Sequence, residues 1–131
     1  MYRLLQSIPF MLVFFYSSFA FAERYSCGNG AMEVQCDADK CESSESHTPM
    51  AGGVDTSTRK ISICAYSACW SGKAEILLND EDFVVAYGKD LRPNNATAGR
   101  ATIVFVIDPE NLGATFNGFG FQNPMSCSVD K

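Results

Sequence analysis

Apolar residues change their rhythm near residue 60. Beyond that point they come in short runs, KISICAY (60–66), KAEILL (73–78), DFVVAY (82–87) and ATIVFVID (101–108), parted by the turn-forming clusters LNDED, RPNN and DPENLG. The runs are rich in β-branched and aromatic residues, which suit a pleated, half-buried surface. They predict consecutive antiparallel strands. A helix competes over 73–91, because Ala, Glu and Leu favour helices. Asn79 and Asp80 at its middle, and two apolar blocks in place of a recurrence every three or four positions, predict a hairpin instead. In ATIVFVID, Ile103, Phe105 and Ile107 fall on one face and Val104 and Val106 on the other, the pattern of a strand covered on both sides. ATFNGFGFQNP (114–124) reads as one strand with Phe119 and Phe121 on one face and Gly118 and Gly120 on the other.

Before residue 60 the pattern is weaker. YSCGNGAMEVQC (25–36) reads as a short hairpin turning at Gly28, Asn29 and Gly30. Residues 42–59, ESSESHTPMAGGVDTSTR, hold little large apolar surface and predict an exposed, flexible polar loop. The expected fold class is therefore all-β, a mainly antiparallel sheet forming a small sandwich or barrel with one long polar loop.

The first 22 residues follow a different logic. Arg3 precedes an apolar run from Ile8 to Tyr16, and Ala20 and Ala22 fit a small-residue cleavage site, so residues 1–22 predict a signal peptide and residues 23–131 a single small β domain. No later segment nears the roughly 20 apolar residues of a membrane span. Export to the periplasm or the exterior is the expectation. All six cysteines lie after the leader, and an even number in an exported chain reads as a disulfide framework. Cys36/Cys41 and Cys64/Cys69 share a C-x4-C spacing that also borders on zinc knuckles. Export favours disulfides over zinc, and no C-x-x-C redox motif is present. The favoured pairs are Cys64–Cys69 and Cys36–Cys41 across turns, with Cys27–Cys127 tying the two ends together. Pairing of Cys27 or Cys127 with a cysteine of another hairpin is the competitor.

Fifteen acidic residues against ten basic give a net charge of −5, one unit more negative without Arg3. That argues against nucleic acid, which needs a basic footprint, and favours a cationic partner. Catalytic signals are thin. His47, the one histidine, sits in the polar loop, and no G-x-S-x-G elbow accompanies it. The acidic clusters Asp37, Asp39, Glu42, Glu45 and Asp80, Glu81, Asp82 do not match a calcium loop, and nothing implies a cofactor. Asn95-Ala96-Thr97 is a formal glycosylation sequon. Trp70, Tyr66, Tyr87, Phe119 and Phe121 could form an aromatic platform. Trp70 and Tyr66, beside the Cys64/Cys69 pair, are the nominated contact residues.

RYSCGNGAMEVQC (24–36) resembles the start of bacterial inhibitors of C-type lysozyme, small periplasmic β-barrels with an aromatic, a cysteine, a glycine turn and an alternating strand. The resemblance covers about a dozen residues. That family pairs a Ser-Gly with a nearby tyrosine; Ser71-Gly72 lacks it, so no site residue is carried over. The expected function is a non-enzymatic binding protein of inhibitor or immunity type acting on a protein or other envelope macromolecule. A structural envelope component is the alternative, and an envelope hydrolase a weaker one.

Overall fold

The computed structural model describes residues 23–30 and 32–130; the expected leader, 1–22, lies outside the described residues. Eleven strands occur in chain order: β1 (Arg24–Gly28), β2 (Glu33–Cys36), β3 (Cys41–Ser44), β4 (Met50–Asp55), β5 (Lys60–Ala65), β6 (Ala68–Lys73), β7 (Glu75–Asn79), β8 (Val84–Pro93), β9 (Ala101–Ile107), β10 (Gly113–Gly118) and β11 (Phe121–Asp130). β1, β4, β5, β6, β8, β9, β10 and β11 follow one another round the sheet, each antiparallel to its neighbours, and β11 pairs back onto β1. The result is a closed eight-stranded barrel. β7 carries the line of β6 onward along β8, and the β2–β3 hairpin hangs from the start of β11.

Closure at eight strands leaves an interior that side chains fill. Phe105, Phe116, Ile61, Ile63, Ile103, Ile107, Val54 and Val84 are all buried there. Phe105 and Phe116 pack with ring centroids 5.4 Å apart. The β1–β4–β5 side coils tightly because β4 carries Gly52 and Gly53: a Cβ on Gly53 would lie 2.0 Å from the Tyr25 carbonyl oxygen, and one on Gly52 2.2 Å from that of Ser62. The seam is cross-linked where Cys27 and Cys127 stand directly opposite on β1 and β11. Cys36–Cys41 closes the β2–β3 hairpin and Cys64–Cys69 the β5–β6 hairpin.

The 73–91 hairpin is present as β7 and β8. Four local expectations differ from the structure. β1 and β2 are not a hairpin: both are antiparallel to β11, end to end along it. Asn29, read as a turn residue, instead bridges to the start of β4 and the chain leading into it, its Oδ1 accepting from Met50 N at 2.7 Å and its Nδ2 donating to the Thr48 carbonyl at 3.1 Å. The joint is completed by Asn123, fully buried, whose Oδ1 accepts from Val34 N at 2.8 Å. Within 42–59, β4 is a barrel strand and β3 an edge strand, leaving turns only at 45–49 and 56–59. Its glycines, a loop signal in sequence, serve close strand approach. Residues 114–124 are two strands, because Phe119 and Gly120 both take positive φ, 56° and 80°. On β9 only the inner face is fully covered, with Val104 and Val106 half-buried outside.

Candidate functional site

One end of the barrel, its mouth, gathers the β5–β6 turn, the 94–100 loop and the β10–β11 turn. The two-residue turn Tyr66–Ser67 puts Tyr66 at φ 55° and leaves it 71 % exposed. Cys64 and Cys69 flank that turn on the outer face, so alternation sends Trp70 inward. Trp70 is only 7 % exposed, opposite Ile63, and its Nε1 donates to the Gly99 carbonyl at 2.7 Å. The 94–100 loop is also held at its start: Cys69 N donates to Asn94 Oδ1 at 2.9 Å and Asn94 N to the Cys69 carbonyl at 2.8 Å.

Phe119 completes the mouth. Its ring lies 4.7 Å from the Trp70 ring, tilted by 49°, and 6.1 Å from Phe116. A continuous aromatic series therefore runs from Phe105 in the core through Phe116 to Phe119, which is 37 % exposed. The positive-φ pair Phe119–Gly120 is the backbone of a type I′ hairpin turn, whose first position normally holds Asn, Asp or Gly. A bulky residue there costs about 1–2 kcal/mol. Beside it, Cys36 N donates to the Gly120 carbonyl at 3.0 Å, which sets the acidic β2–β3 turn next to Phe119.

The nominated pair is thus divided: Tyr66 projects into solvent, while Trp70 supports the mouth from within. Of the other aromatics in the expected platform, Phe121 is buried, and Tyr87 faces outward on β8 near the opposite end. The apolar pattern places Phe119 in a strand; the signal for its true place is the turn chemistry of Asn117-Gly118-Phe119-Gly120. His47 Nδ1 lies 3.2 Å from the Glu45 carbonyl, and among the described residues no nucleophile is hydrogen-bonded to it. Asp37 and Asp80 each use a carboxylate oxygen to accept two backbone N–H groups of their own turns. Among the described residues, no group of three or more His, Cys, Asp or Glu side chains is placed to hold a metal ion.

No protein-family model, curated protein or solved structure matches the chain. The likeness to lysozyme inhibitors therefore stands on residues 24–36 alone, and the fold splits those residues between β1 and β2.

Among the described residues, the two groups with displaced pKa values, Asp55 and Tyr25, lie at the far end of the barrel. Asp55 accepts from Ser57 Oγ at 2.6 Å, from Thr58 N at 2.9 Å and from the Arg24 guanidinium at 3.1 Å, and these contacts hold its carboxyl well below the usual range. Burial, then the hydrogen bond to the Glu23 carboxylate, pushes the Tyr25 phenol above its usual range.

Proposed function

We propose that the protein is an exported, non-enzymatic binding protein of inhibitor or immunity type, which captures another macromolecule at the barrel mouth. The observation that carries this reading is Phe119: a large aromatic in a turn position that backbone energetics reserve for small polar residues, its ring braced on Trp70 and over a third exposed. Packing on Trp70 offsets part of the backbone cost; the exposed part of the ring gains nothing from the fold. Rigid aromatics surrender little entropy on binding, which makes them efficient anchors. The acidic β2–β3 turn beside it favours a partner with a cationic contact surface, in the periplasm or outside the cell. Three disulfides suit such an oxidising compartment.

The test compares wild-type protein with Phe119→Asn in capture from envelope and extracellular extracts, followed by titration of the captured partner. Asparagine suits the turn, so the variant folds at least as stably while its binding falls by about 2 kcal/mol or more. Equal capture by both proteins would overturn the assignment of the mouth.

A second reading, a structural envelope component, has its own observation. Among the described residues β7 pairs only with β8, and it carries Leu77, 57 % exposed, with the exposed Leu78 next in sequence and the exposed Phe83 just past the turn. Open apolar edges template strand addition. Concentration-dependent self-assembly that Leu77→Lys abolishes would favour this reading over the first.

A further inference from the structure

The outer face at the far end of the barrel holds three adjoining depressions. A groove of about 470 Å³ is lined by Arg59, Lys60, Ser62, Ser71 and Lys73 among others. On one side it shares Lys60 and Ser62 with a depression bounded by Arg24, Ser26, Gly53 and Asp55. On the other it shares Arg59 and Lys73 with one bounded by Glu75, Tyr87 and Lys89. Together they cross β1, β4, β5, β6 and β8, five strands spanning about 19 Å at the usual strand spacing. This strip holds half of the chain's ten lysines and arginines and only two carboxylates, in a molecule whose net charge is −5.

Register explains the concentration. Counting down the β5–β6 hairpin from the Cys64–Cys69 disulfide, the outward pairs are Ser62 with Ser71 and then Lys60 with Lys73. Like charges directly opposite destabilise a sheet. Asp55 is already engaged by Arg24, and among the described residues no carboxylate lies within 4.0 Å of Arg59, Lys60, Lys73 or Lys89. An external anion between Lys60 and Lys73 would turn that repulsion into attraction.

We propose that this strip binds an anionic polysaccharide, independently of the barrel mouth. A peptide is disfavoured because β5 is paired on both sides, by β4 and β6, so the floor offers no free backbone ladder. Recognition falls to side chains, and those present are ammonium, guanidinium and hydroxyl groups, the complement of sugar carboxylates or sulfates and ring hydroxyls. Gly53 carries no side chain into the floor, and Tyr87 supplies a ring at one end against which a sugar face can lie. Nucleic acid is disfavoured by charge density: a duplex carries about one phosphate per 1.7 Å, which a net-acidic protein repels. A glycan with widely spaced charges matches cations spread over five strands.

The experiment is calorimetric titration with an octagalacturonate and a κ-carrageenan octasaccharide, whose only anions are carboxylates and widely spaced sulfates respectively, at low and physiological salt. Wild-type protein, Lys60→Gln/Lys73→Gln and Lys40→Gln are compared; Lys40 lies elsewhere, paired with Glu42. Wild type binds at least one glycan, more weakly at higher salt. The double variant binds about tenfold more weakly, a loss of about 1.4 kcal/mol. Lys40→Gln matches wild type. Tighter binding of octagalacturonate assigns carboxylate as the recognised anion, and tighter binding of the carrageenan fragment assigns sulfate. The melting temperature of the double variant stays level or rises, since a like-charge pair is removed. The proposal is overturned if neither glycan binds, if the double variant binds as wild type does, or if poly-glutamate or oligothymidylate binds as tightly as the glycans.

Discussion

Trp70→Ala removes the largest side chain supporting the barrel mouth. The indole is 7 % exposed and sits between Ile63 on β5 and the Phe119 ring 4.7 Å away. Deleting a buried Trp or Phe costs about 3–5 kcal/mol in lost transfer energy and residual cavity. The hydrogen bond to the Gly99 carbonyl adds about 1 kcal/mol; Gly99 is exposed, so water can satisfy the vacated acceptor. Some collapse is available, because Phe119 is at the surface and free to settle into the gap. The net expectation is about 4 kcal/mol, a large share of the 5–15 kcal/mol typical of a domain. Urea melts under non-reducing conditions, with m compared between the proteins, measure it. Trp70→Phe separates the terms, since it keeps most of the packing and loses the hydrogen bond, for a cost near 1–2 kcal/mol. A loss below about 1 kcal/mol for Trp70→Ala would mean that the indole is not packed at the mouth, and Phe119 would then lack its brace.

Two further outcomes follow from the Cys27–Cys127 seam and the Asp55 contacts. Converting Cys27 and Cys127 together to alanine opens a loop of 100 residues and lowers stability by about 4–5 kcal/mol, whereas the Cys36/Cys41 double variant loses about 2 kcal/mol, and equal losses in urea melts would refute the loop-entropy account. The folded carboxyl of Asp55 titrates below its unfolded value, so its stabilisation is complete above about pH 4 and fades as pH falls further; Asp55→Asn should lower the neutral-pH melting temperature and flatten the acid limb, and an unchanged acid limb would refute this.

Where sequence and structure agree, the reason is local. Lys60 to Tyr66 alternates cleanly, Asn79 to Asp82 breaks the chain between two apolar blocks, and cysteines five apart face each other across a turn. Disagreement arises where a residue type has two uses. Asn29 could turn the chain or satisfy a distant strand end, and only the arrival of Met50 decides it. Gly52 and Gly53 could loosen a loop or let three strands crowd together. Phe119 has the composition of a strand and the backbone of a turn. The Lys60–Lys73 pair was implicit in the cysteine spacing, since a staple at 64 and 69 fixes every outward pair below it. Its extension to Arg24 and Lys89 was not, because neighbouring hairpins settle that through closure of the barrel.

The filled interior sends any recognition to the outside, and the cross-links distinguish the two ends. Both short disulfides close hairpins whose turns border the mouth, and Asn94 and Gly99 bind the remaining loop to β6. Groups so held have little freedom left to lose, which suits one partner of fixed shape. Lys60, Lys73 and Lys89 stand exposed without such ties, and long flexible cations adapt to variable spacing at the expense of salt sensitivity. Raising salt should therefore weaken binding at the strip steeply and binding at the mouth less, because there only the rim charges of the β2–β3 turn are screened while the aromatic contact is not. That contrast assigns a captured partner to one end of the barrel before any residue is altered.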